Sequence, residues 1–485
     1  MRRYLVILLV LAIAGCTVTS KKPDLKRLYA VSSADRFQNP VILVHGALAS
    51  RLRTMQSGKE IWPGPWTNFL FDRLGPLALE IDPASLQARD GHAKAYALFD
   101  GFAGRHYYDR IRDALEDAGG YTFSRPGEPN RATQRYYIFL YDWRQDLVQS
   151  AALLDDFIDQ IRRDHDDAHL RIDIVAHSMG ALLTRYYLRY GDQDVLDSEM
   201  FTPNYRGAAK VRRVVLIGAP NMGSITALQT FMTGHKFGAA NLYPEMLATM
   251  PSAYQLLPHP ERDWMITIDG KKWRRDLYSV QTWREYRWSV FNPDMRERIR
   301  KRFENDDDAE QYLSMLERYF ARNLQRAKRF HRAISLPVEG SPVRFIVFGG
   351  DCILTPARCL VENVNGESLV RLFPHEISRP LRGVDYRKLM LEPGDGRVTK
   401  PSLLARNALD PSVPATEPGA FGLAYAVLLC DSHSGLTANI TFQDNLLNIL
   451  LTQETTEDRV NRQELPRRKE QPAGQPPEFS PPELG

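Results

Sequence analysis

The chain alternates short apolar runs with segments in which apolar residues recur at helical spacing. The apolar runs of the first half are Val41–Val44, Tyr136–Tyr141, Ile172–Ala176 and Val211–Ile217. Each run has the length and composition of a strand that is buried on both faces. Between two of these runs, Leu154, Ile158 and Ile161 recur at helical spacing. This alternation predicts an α/β fold with a mostly parallel sheet that helices cover on both faces.

The alternation stops between residues 225 and 340, where the chain is mixed, aromatic and highly charged. The strand pattern then resumes at Val343–Phe348 and at Leu423–Leu429. A block inserted between strands of one sheet is most simply a cap over a site. The predicted organisation is a core at 38–224 with an insertion near 51–100, a cap or lid at 225–340, a second part of the core at 341–452 and a disordered tail at 453–485.

The first 16 residues are typical of a bacterial lipoprotein signal. Two arginines precede the apolar stretch Leu5–Ala14, and small residues precede Cys16. We expect cleavage before Cys16 and attachment of a lipid anchor to it, with residues 17–37 as a polar tether. Thr17 is not the aspartate typical of inner-membrane retention, so we expect an outer-membrane location facing the periplasm in the cell envelope. The alternative is a plain secretory signal with an incidental cysteine.

Composition and charge exclude several classes of protein. With 485 residues, of which 43% are apolar, the chain can bury a large core. Its 63 basic and 59 acidic residues nearly balance, so no pervasive basic field indicates a nucleic-acid partner. No clustered His, Cys and carboxylate pattern predicts a metal, and we expect no cofactor.

Ser178 is the strongest candidate for a nucleophile. It stands between the apolar run that ends at Ala176 and a helical pattern that begins at Met179, with Gly180 two residues beyond it. Small residues two positions before and after a serine are what the sharp strand-to-helix turn of a nucleophile elbow requires. The alternative is that Ser178 is an ordinary helix N-cap residue without a catalytic role.

A second loop is a candidate to bind developing negative charge. The strand Val41–Val44 is followed by a loop of small residues that includes Gly46 and Ala47. In α/β-hydrolases a loop in this position donates one oxyanion N–H, and the residue after the nucleophile donates the other. We therefore nominate the backbone N–H groups of Ala47 and Met179; the alternative for the loop is a tight structural turn.

The acid and base are predicted from chain order, which in α/β-hydrolases is Ser, acid, His. If the acid is Asp395, only His433 follows it; if the acid is Asp351, His375 is a further possibility. Asp395 is preferred because a glycine on each side lets a loop bring its carboxylate close to a partner.

Two other features have open interpretations. Cys352 and Cys359 either form a small loop disulfide or remain free thiols, and Cys430 is expected to be a buried small residue. Trp62 and Trp66 stand among prolines and a glycine. They either form an exposed, lipid-facing patch that contacts a membrane or pack over a hydrophobic core.

Taken together, these segments resemble the lecithin:cholesterol acyltransferase-like family of α/β-hydrolases. The matching segments are Pro40–Val44 with Gly46, Tyr141–Arg144, Ala176–Gly180, Gly218–Pro220, Gly394–Val398 and His433. They follow the family order over residues 39–450. Two departures are His45, where the family usually has Pro, and Asn221-Met222, where it usually has Trp-Gly.

The resemblance implies an α/β-hydrolase fold with an inserted cap domain and a small membrane-proximal insertion. It implies a catalytic triad of Ser178, Asp395 and His433, with Ala47 and Met179 at the oxyanion position. It also implies phospholipid or other lipid esters as substrates, through an acyl-enzyme. Because the departures border the acyl site, the choice between hydrolase and acyltransferase stays open, as do acyl-chain preference and protein partners.

Two further functions are compatible with the sequence. One is a short-chain carboxylesterase without lipid preference. The other is a non-catalytic lipoprotein that keeps the fold as a binding or scaffold module. Relatives that have lost activity usually lack a triad member, whereas all three candidate positions are filled here.

Overall fold

The computed structural model describes residues 22–34, 38–65, 67–72, 74–89, 93–102, 105–128, 134–273, 275–336, 342–406 and 422–452. The strands are β1 (Val41–Val44), β2 (Ser50–Thr54), β3 (Glu60–Trp62), β4 (Ala93–Leu98), β5 (Gly101–Phe102), β6 (Arg105–His106), β7 (Thr122–Phe123), β8 (Arg135–Phe139), β9 (Ile172–His177), β10 (Val211–Ile217), β11 (His235–Phe237), β12 (Ala240–Leu242), β13 (Met265–Thr267), β14 (Phe345–Gly350), β15 (Ile353–Pro356), β16 (Cys359–Val364), β17 (Glu367–Arg371), β18 (Leu391–Gly394) and β19 (Leu423–Leu429). The α-helices are Leu25–Tyr29, Thr67–Leu70, Asp109–Asp113, Leu147–Asp164, Met179–Tyr190, Arg206–Ala209, Ile225–Thr233, Pro244–Leu247, Pro251–Gln255, Val280–Glu285, Pro293–Arg300, Asp306–Ser335, Tyr386–Met390, Lys400–Leu403 and Ile440–Leu451.

The main sheet has seven strands in the order β19-β14-β10-β9-β1-β8-β7. Every neighbouring pair in it is parallel. Alternate residues of its central strands enter two hydrophobic clusters: Ile42 and Val44 of β1 lie in one cluster, and Val41 and Leu43 lie in the other. Burial on both faces explains why these strands are continuous apolar runs. The α/β fold with a doubly covered parallel sheet is confirmed.

The insertion near 51–100 contains a three-stranded antiparallel sheet, β3-β2-β4. Residues 225–336 are mostly helical and end in the 30-residue helix Asp306–Ser335, which we call the cap helix. It is fixed to the helix Met179–Tyr190, which follows Ser178, because the Tyr190 hydroxyl donates to the Ala333 carbonyl at 2.9 Å. The boundaries and roles assigned to these units remain predictions.

The described part of the predicted tether, residues 22–34, packs on the core rather than extending away from it. Leu25 and Tyr29 are buried in the second hydrophobic cluster. The Tyr29 hydroxyl also donates to the Asp444 carbonyl at 2.8 Å. Cys16, Trp66 and the tail 453–485 lie outside the described residues. Among the described helices, none has the length and apolar character needed to cross a bilayer.

The structure supports a free thiol at Cys359, one of the two alternatives, but a Cys352–Cys359 disulfide and an unpaired, buried Cys430 are both contradicted. Cys352 forms a disulfide with Cys430, with 5.1 Å between their Cα atoms, while Cys359 is a buried free thiol. Cys352 lies two residues after β14 and Cys430 one residue after β19, and these strands are neighbours in the parallel sheet. Their Cα atoms therefore meet at one sheet edge at a separation that suits a disulfide. Cys359 instead begins β16, in a different sheet.

Candidate active site

Ser178 lies on a sharp turn between β9 and the helix Met179–Tyr190. Its backbone has φ 54° and ψ −122°, which a residue with a side chain rarely adopts. The turn fits against β1 because two neighbours lack a Cβ atom. A Cβ on Gly180 would lie 2.4 Å from the His45 carbonyl oxygen, and one on Gly46 would lie 2.9 Å from the Ser178 Cβ. The turn has the geometry of a nucleophile elbow.

The structure brings Ser178, His433 and Asp395 together in one hydrogen-bonded chain. The His433 Nε2 lies 2.9 Å from the Ser178 Oγ, and its Nδ1 lies 2.8 Å from the Asp395 Oδ2. Ser178 and His433 lie in loops that follow β9 and β19, at the carboxyl end of the main sheet. Asp395 follows β18 of the small antiparallel β15-β18 sheet and lies against Gly350, the last residue of β14. This geometry suits proton transfer from the hydroxyl to the imidazole.

Asp395 is held as a buried carboxylate. Its side chain is 1% exposed. Its Oδ1 accepts hydrogen bonds from the backbone N–H groups of Arg397 at 2.9 Å and Val398 at 2.7 Å. Burial alone would raise the pKa of Asp395, but the adjacent His433 and these N–H donors outweigh burial and lower that pKa. Asp395 therefore stays ionised and orients the His433 ring.

The alternative acid and base lie apart from Ser178. The Asp351 carboxylate pairs with the Lys400 ammonium at 3.2 Å. The His375 ring stacks on Phe373 at 5.5 Å between ring centroids. The pair Asp351 and His375, left open by chain order, is therefore not assembled around the serine.

Ala47 and Met179 line the same cavity as Ser178. Met179 is the first residue of its helix, where an N–H has no acceptor within the helix. Among the described residues, no hydrogen-bond acceptor pairs with the N–H of Met179 or of Ala47. Both groups are thus available to an incoming oxygen.

A hydrogen-bond network that sequence reasoning missed fixes the loop carrying Ala47. The Gly46 N–H donates to the Tyr108 hydroxyl at 2.9 Å, and that hydroxyl lies 2.8 Å from the His177 Nδ1. Burial and, to a smaller extent, the neighbouring His433 lower the pKa of His177 to about 3, so this imidazole is neutral and can accept a hydrogen bond from the Tyr108 hydroxyl. The position of His177 beside Ser178 was the available signal; nothing in the sequence marks Tyr108.

The triad opens into a largely apolar cavity of about 310 Å³. Its walls come from the core, the insertion and the cap: Trp62, Phe99, Trp143, Phe231, Phe237, Leu242, Met250 and Leu256.

Of the two interpretations of Trp62, the structure agrees with a residue that packs over the core and not with an exposed membrane-contacting patch. Trp62 is 2% exposed, and its indole N–H donates to the Leu48 carbonyl at 2.8 Å. Its ring packs edge-on against Trp143 and Phe237, because a large aromatic ring beside the cavity gains more from burial than from exposure. Its partner in that prediction, Trp66, lies outside the described residues.

The elbow, the parallel sheet and the loop order define an α/β-hydrolase. The model of the lecithin:cholesterol acyltransferase family matches residues 133–332. The match covers less than half of the chain and confirms its resemblance to the lecithin:cholesterol acyltransferase-like family of α/β-hydrolases. In general terms, this similarity supports the function of an acyl-ester hydrolase or acyltransferase that acts on lipid esters. No curated protein matches the chain.

Two solved structures are similar to this chain, and the first of them agrees with the fold. A chain in the crystal structure of the Tle4–Tli4 complex has a TM-score of 0.50 and 14% identity, with 85% of this chain and 98% of that chain covered. Lipase 1 from Pelosinus fermentans has a TM-score of 0.34 and 13% identity, covering 86% of this chain and 100% of that one. At 14% identity, the similarity to the first of these structures concerns the fold alone.

Proposed function

We propose that the chain is a serine-dependent acyl-ester hydrolase or acyltransferase that acts on phospholipids or related lipid esters through an acyl-enzyme. One observation carries the proposal. The Ser178 hydroxyl is hydrogen-bonded to the His433 imidazole, which is in turn hydrogen-bonded to the buried Asp395, at the edge of an apolar cavity.

The chemistry follows from these contacts. The Ser178 Oγ attacks the ester carbonyl carbon while its proton passes to the His433 Nε2. Asp395 holds the imidazole in the required tautomer and stabilises the imidazolium. When the carbon–oxygen bond to the alcohol breaks, His433 gives its proton to the departing alcohol oxygen and the acyl group stays on Ser178. Water or another alcohol then repeats these steps in reverse and releases the acyl group.

The Ala47 and Met179 N–H groups receive the oxyanion formed in each half of the reaction. A donor that meets the charge only as it develops lowers the barrier by about 3 kcal/mol. Both groups are backbone N–H donors on restrained elements, so little reorganisation accompanies charge formation. We assign them as the oxyanion hole.

The apolar wall favours a lipid ester over a short-chain ester. Burying a methylene group stabilises a complex by about 0.8 kcal/mol. A cavity lined by aromatic and aliphatic side chains therefore binds an acyl ester more tightly with each methylene group that it buries. A short-chain carboxylesterase would leave this wall unused.

Paired substrates test the proposal. Wild-type protein and the Ser178→Ala variant are compared on phospholipid vesicles and on soluble butyrate esters, with fatty acid release measured. We expect release by the wild type only, with a higher kcat/KM for the long-chain lipid. Equal or better use of butyrate would favour the short-chain esterase, and no turnover of either substrate would favour the scaffold. Adding glycerol or a sterol and measuring newly formed ester separates acyltransferase from hydrolase.

We also propose that the protein is held by a lipid on Cys16 in the bacterial cell envelope, at the outer membrane facing the periplasm. The signal-like sequence of residues 1–16 supports this location. Metabolic labelling with an alkyne fatty acid is expected to mark the wild type and not a Cys16→Ser variant. Label retained by the variant would contradict the anchor.

A further inference from the structure

Arg397 stands out among the residues that line the cavity beside Ser178 and His433. It is exposed. Among the described residues, no carboxylate lies within ion-pair distance of its guanidinium. Arg144, which follows the lining residue Trp143, is by contrast buried and paired with Asp142. Arg397 thus presents an unneutralised positive charge at an otherwise largely apolar cavity.

The backbone of Arg397 is fixed on both sides. Its N–H donates to the Asp395 Oδ1 at 2.9 Å, and its carbonyl accepts from the Ser224 hydroxyl at 2.6 Å. Ser224 also caps the helix Ile225–Thr233. These two hydrogen bonds fix the Cα position of Arg397, two residues after the triad residue Asp395.

Neighbouring groups add to the polar character of this side of the cavity. The Thr226 hydroxyl also lines it, and among the described residues this buried oxygen has no hydrogen-bond partner. His235 lies on the same cavity wall; burial lowers its pKa, and the charge of Arg397 lowers it further. Arg397, Thr226 and His235 thus line the same cavity as Ser178 and His433.

We propose that Arg397 is a specificity-determining residue that binds a phosphate on the alcohol portion of the ester, with the Thr226 hydroxyl as a second donor. This proposal deepens the proposed function and rests on it. A guanidinium presents two parallel N–H donors that match phosphate oxygens, and such charge-assisted bonds are stronger than neutral ones. The acyl chain occupies the apolar wall while the phosphate occupies the Arg397 side.

Binding of octyl phosphate tests the assignment without turnover, because this probe has no carboxylic ester. Calorimetric titration compares wild-type protein with Arg397→Gln and Arg397→Lys. The matched control is Arg382→Gln, which removes an exposed arginine that does not line the cavity. We expect Arg397→Gln to weaken Kd about tenfold and Arg397→Lys to weaken it less, since lysine keeps the charge but not the paired donors. Arg382→Gln should bind as the wild type does.

Unchanged octyl phosphate affinity in Arg397→Gln would overturn the proposal, as would an equal loss in Arg382→Gln. A parallel titration with octyl glucoside separates phosphate recognition from general binding of an octyl chain, because its neutral head should show no preference for the wild type. Hydrolysis of a lysophospholipid relative to a monoacylglycerol of the same acyl chain should fall about tenfold in Arg397→Gln. If the wild type binds octyl phosphate with the expected dependence on Arg397 but hydrolyses no ester, the result would contradict the proposed function and leave the phosphate site supported.

Discussion

At the scale of single residues, the site depends on how tightly the loop carrying Ala47 is held. The Tyr108 hydroxyl links that loop to the residue before the serine, through Gly46 on one side and His177 on the other. Tyr108 is 5% exposed, and burial raises its pKa well above the usual range, so it remains a neutral hydroxyl. The network can therefore position the Ala47 N–H without carrying a charge.

The variant Tyr108→Phe tests this positioning role. It leaves the Gly46 N–H without its partner, and an unsatisfied buried donor costs about 1–3 kcal/mol of stability. We expect kcat for a soluble ester to fall about tenfold with little change in KM, because the oxyanion donor acts only in the transition state.

Tyr96→Phe is the matched control, since it removes a hydroxyl that donates to Glu60 at 2.7 Å outside the cavity. A lower Tm with unchanged kcat in Tyr108→Phe would show that Tyr108 serves stability alone.

At the scale of elements, the parts of the structure that follow from local pattern were predictable and those that depend on register were not. Apolar runs located β1, β9 and β10, because a strand buried on both faces needs apolar residues throughout. The cysteine pairing could not be predicted, because it depends on β14 and β19 being neighbours. The burial of Trp62 depends on side chains from the core and the cap.

The Cys352–Cys430 disulfide joins the two segments that carry the acid and the base. Cys352 precedes β15, which pairs with β18 just before Asp395, and Cys430 precedes His433 by three residues. We expect Cys430→Ser to lower stability by about 2–4 kcal/mol, since the bridge restrains the unfolded chain. We also expect kcat to fall several-fold because the His433 loop is freed. Peptide mapping by mass spectrometry should recover the cross-link in the wild type; recovery of Cys359 in a cross-link would contradict the assignment.

The cap helix carries a second prediction, on acid stability. His331 of this helix and His259 are buried, with 5.5 Å between their ring centroids. Burial lowers the pKa of His259 to about 4 and lowers the pKa of His331 well below its usual range; nearby Arg185 adds to both shifts.

The unfolded chain therefore binds protons below about pH 6.5 that the folded chain does not bind. Above that pH the two histidines do not change the free energy of unfolding. As the pH falls from there toward 4, this free energy decreases by about 1.4 kcal/mol per pH unit for each histidine. Thermal unfolding followed from pH 7 to pH 5 should show a falling Tm, with a shallower slope in His331→Gln than in the exposed control His169→Gln. Equal slopes would contradict this account.

At the scale of the whole molecule, the fold brings residues that are far apart in the sequence together in one site. Residues 178 and 433 follow β9 and β19, and the sheet brings them together because its parallel strands end at the same edge. Residue 395 follows β18 of a separate antiparallel pair and meets that edge beside Gly350 at the end of β14. The chain order of serine, acid and histidine could therefore be read from the sequence. The shape of the cavity could not, because it needs the core, the insertion and the cap in place together.

The most direct test of the account is the reaction of the folded protein with a fluorophosphonate, with the modified residue identified by mass spectrometry. The account predicts one phosphonyl group, on Ser178, and labelling slowed at least about a hundredfold in His433→Gln because the base is lost. Wild-type protein that is folded but unlabelled, or labelled at a different residue, would contradict it.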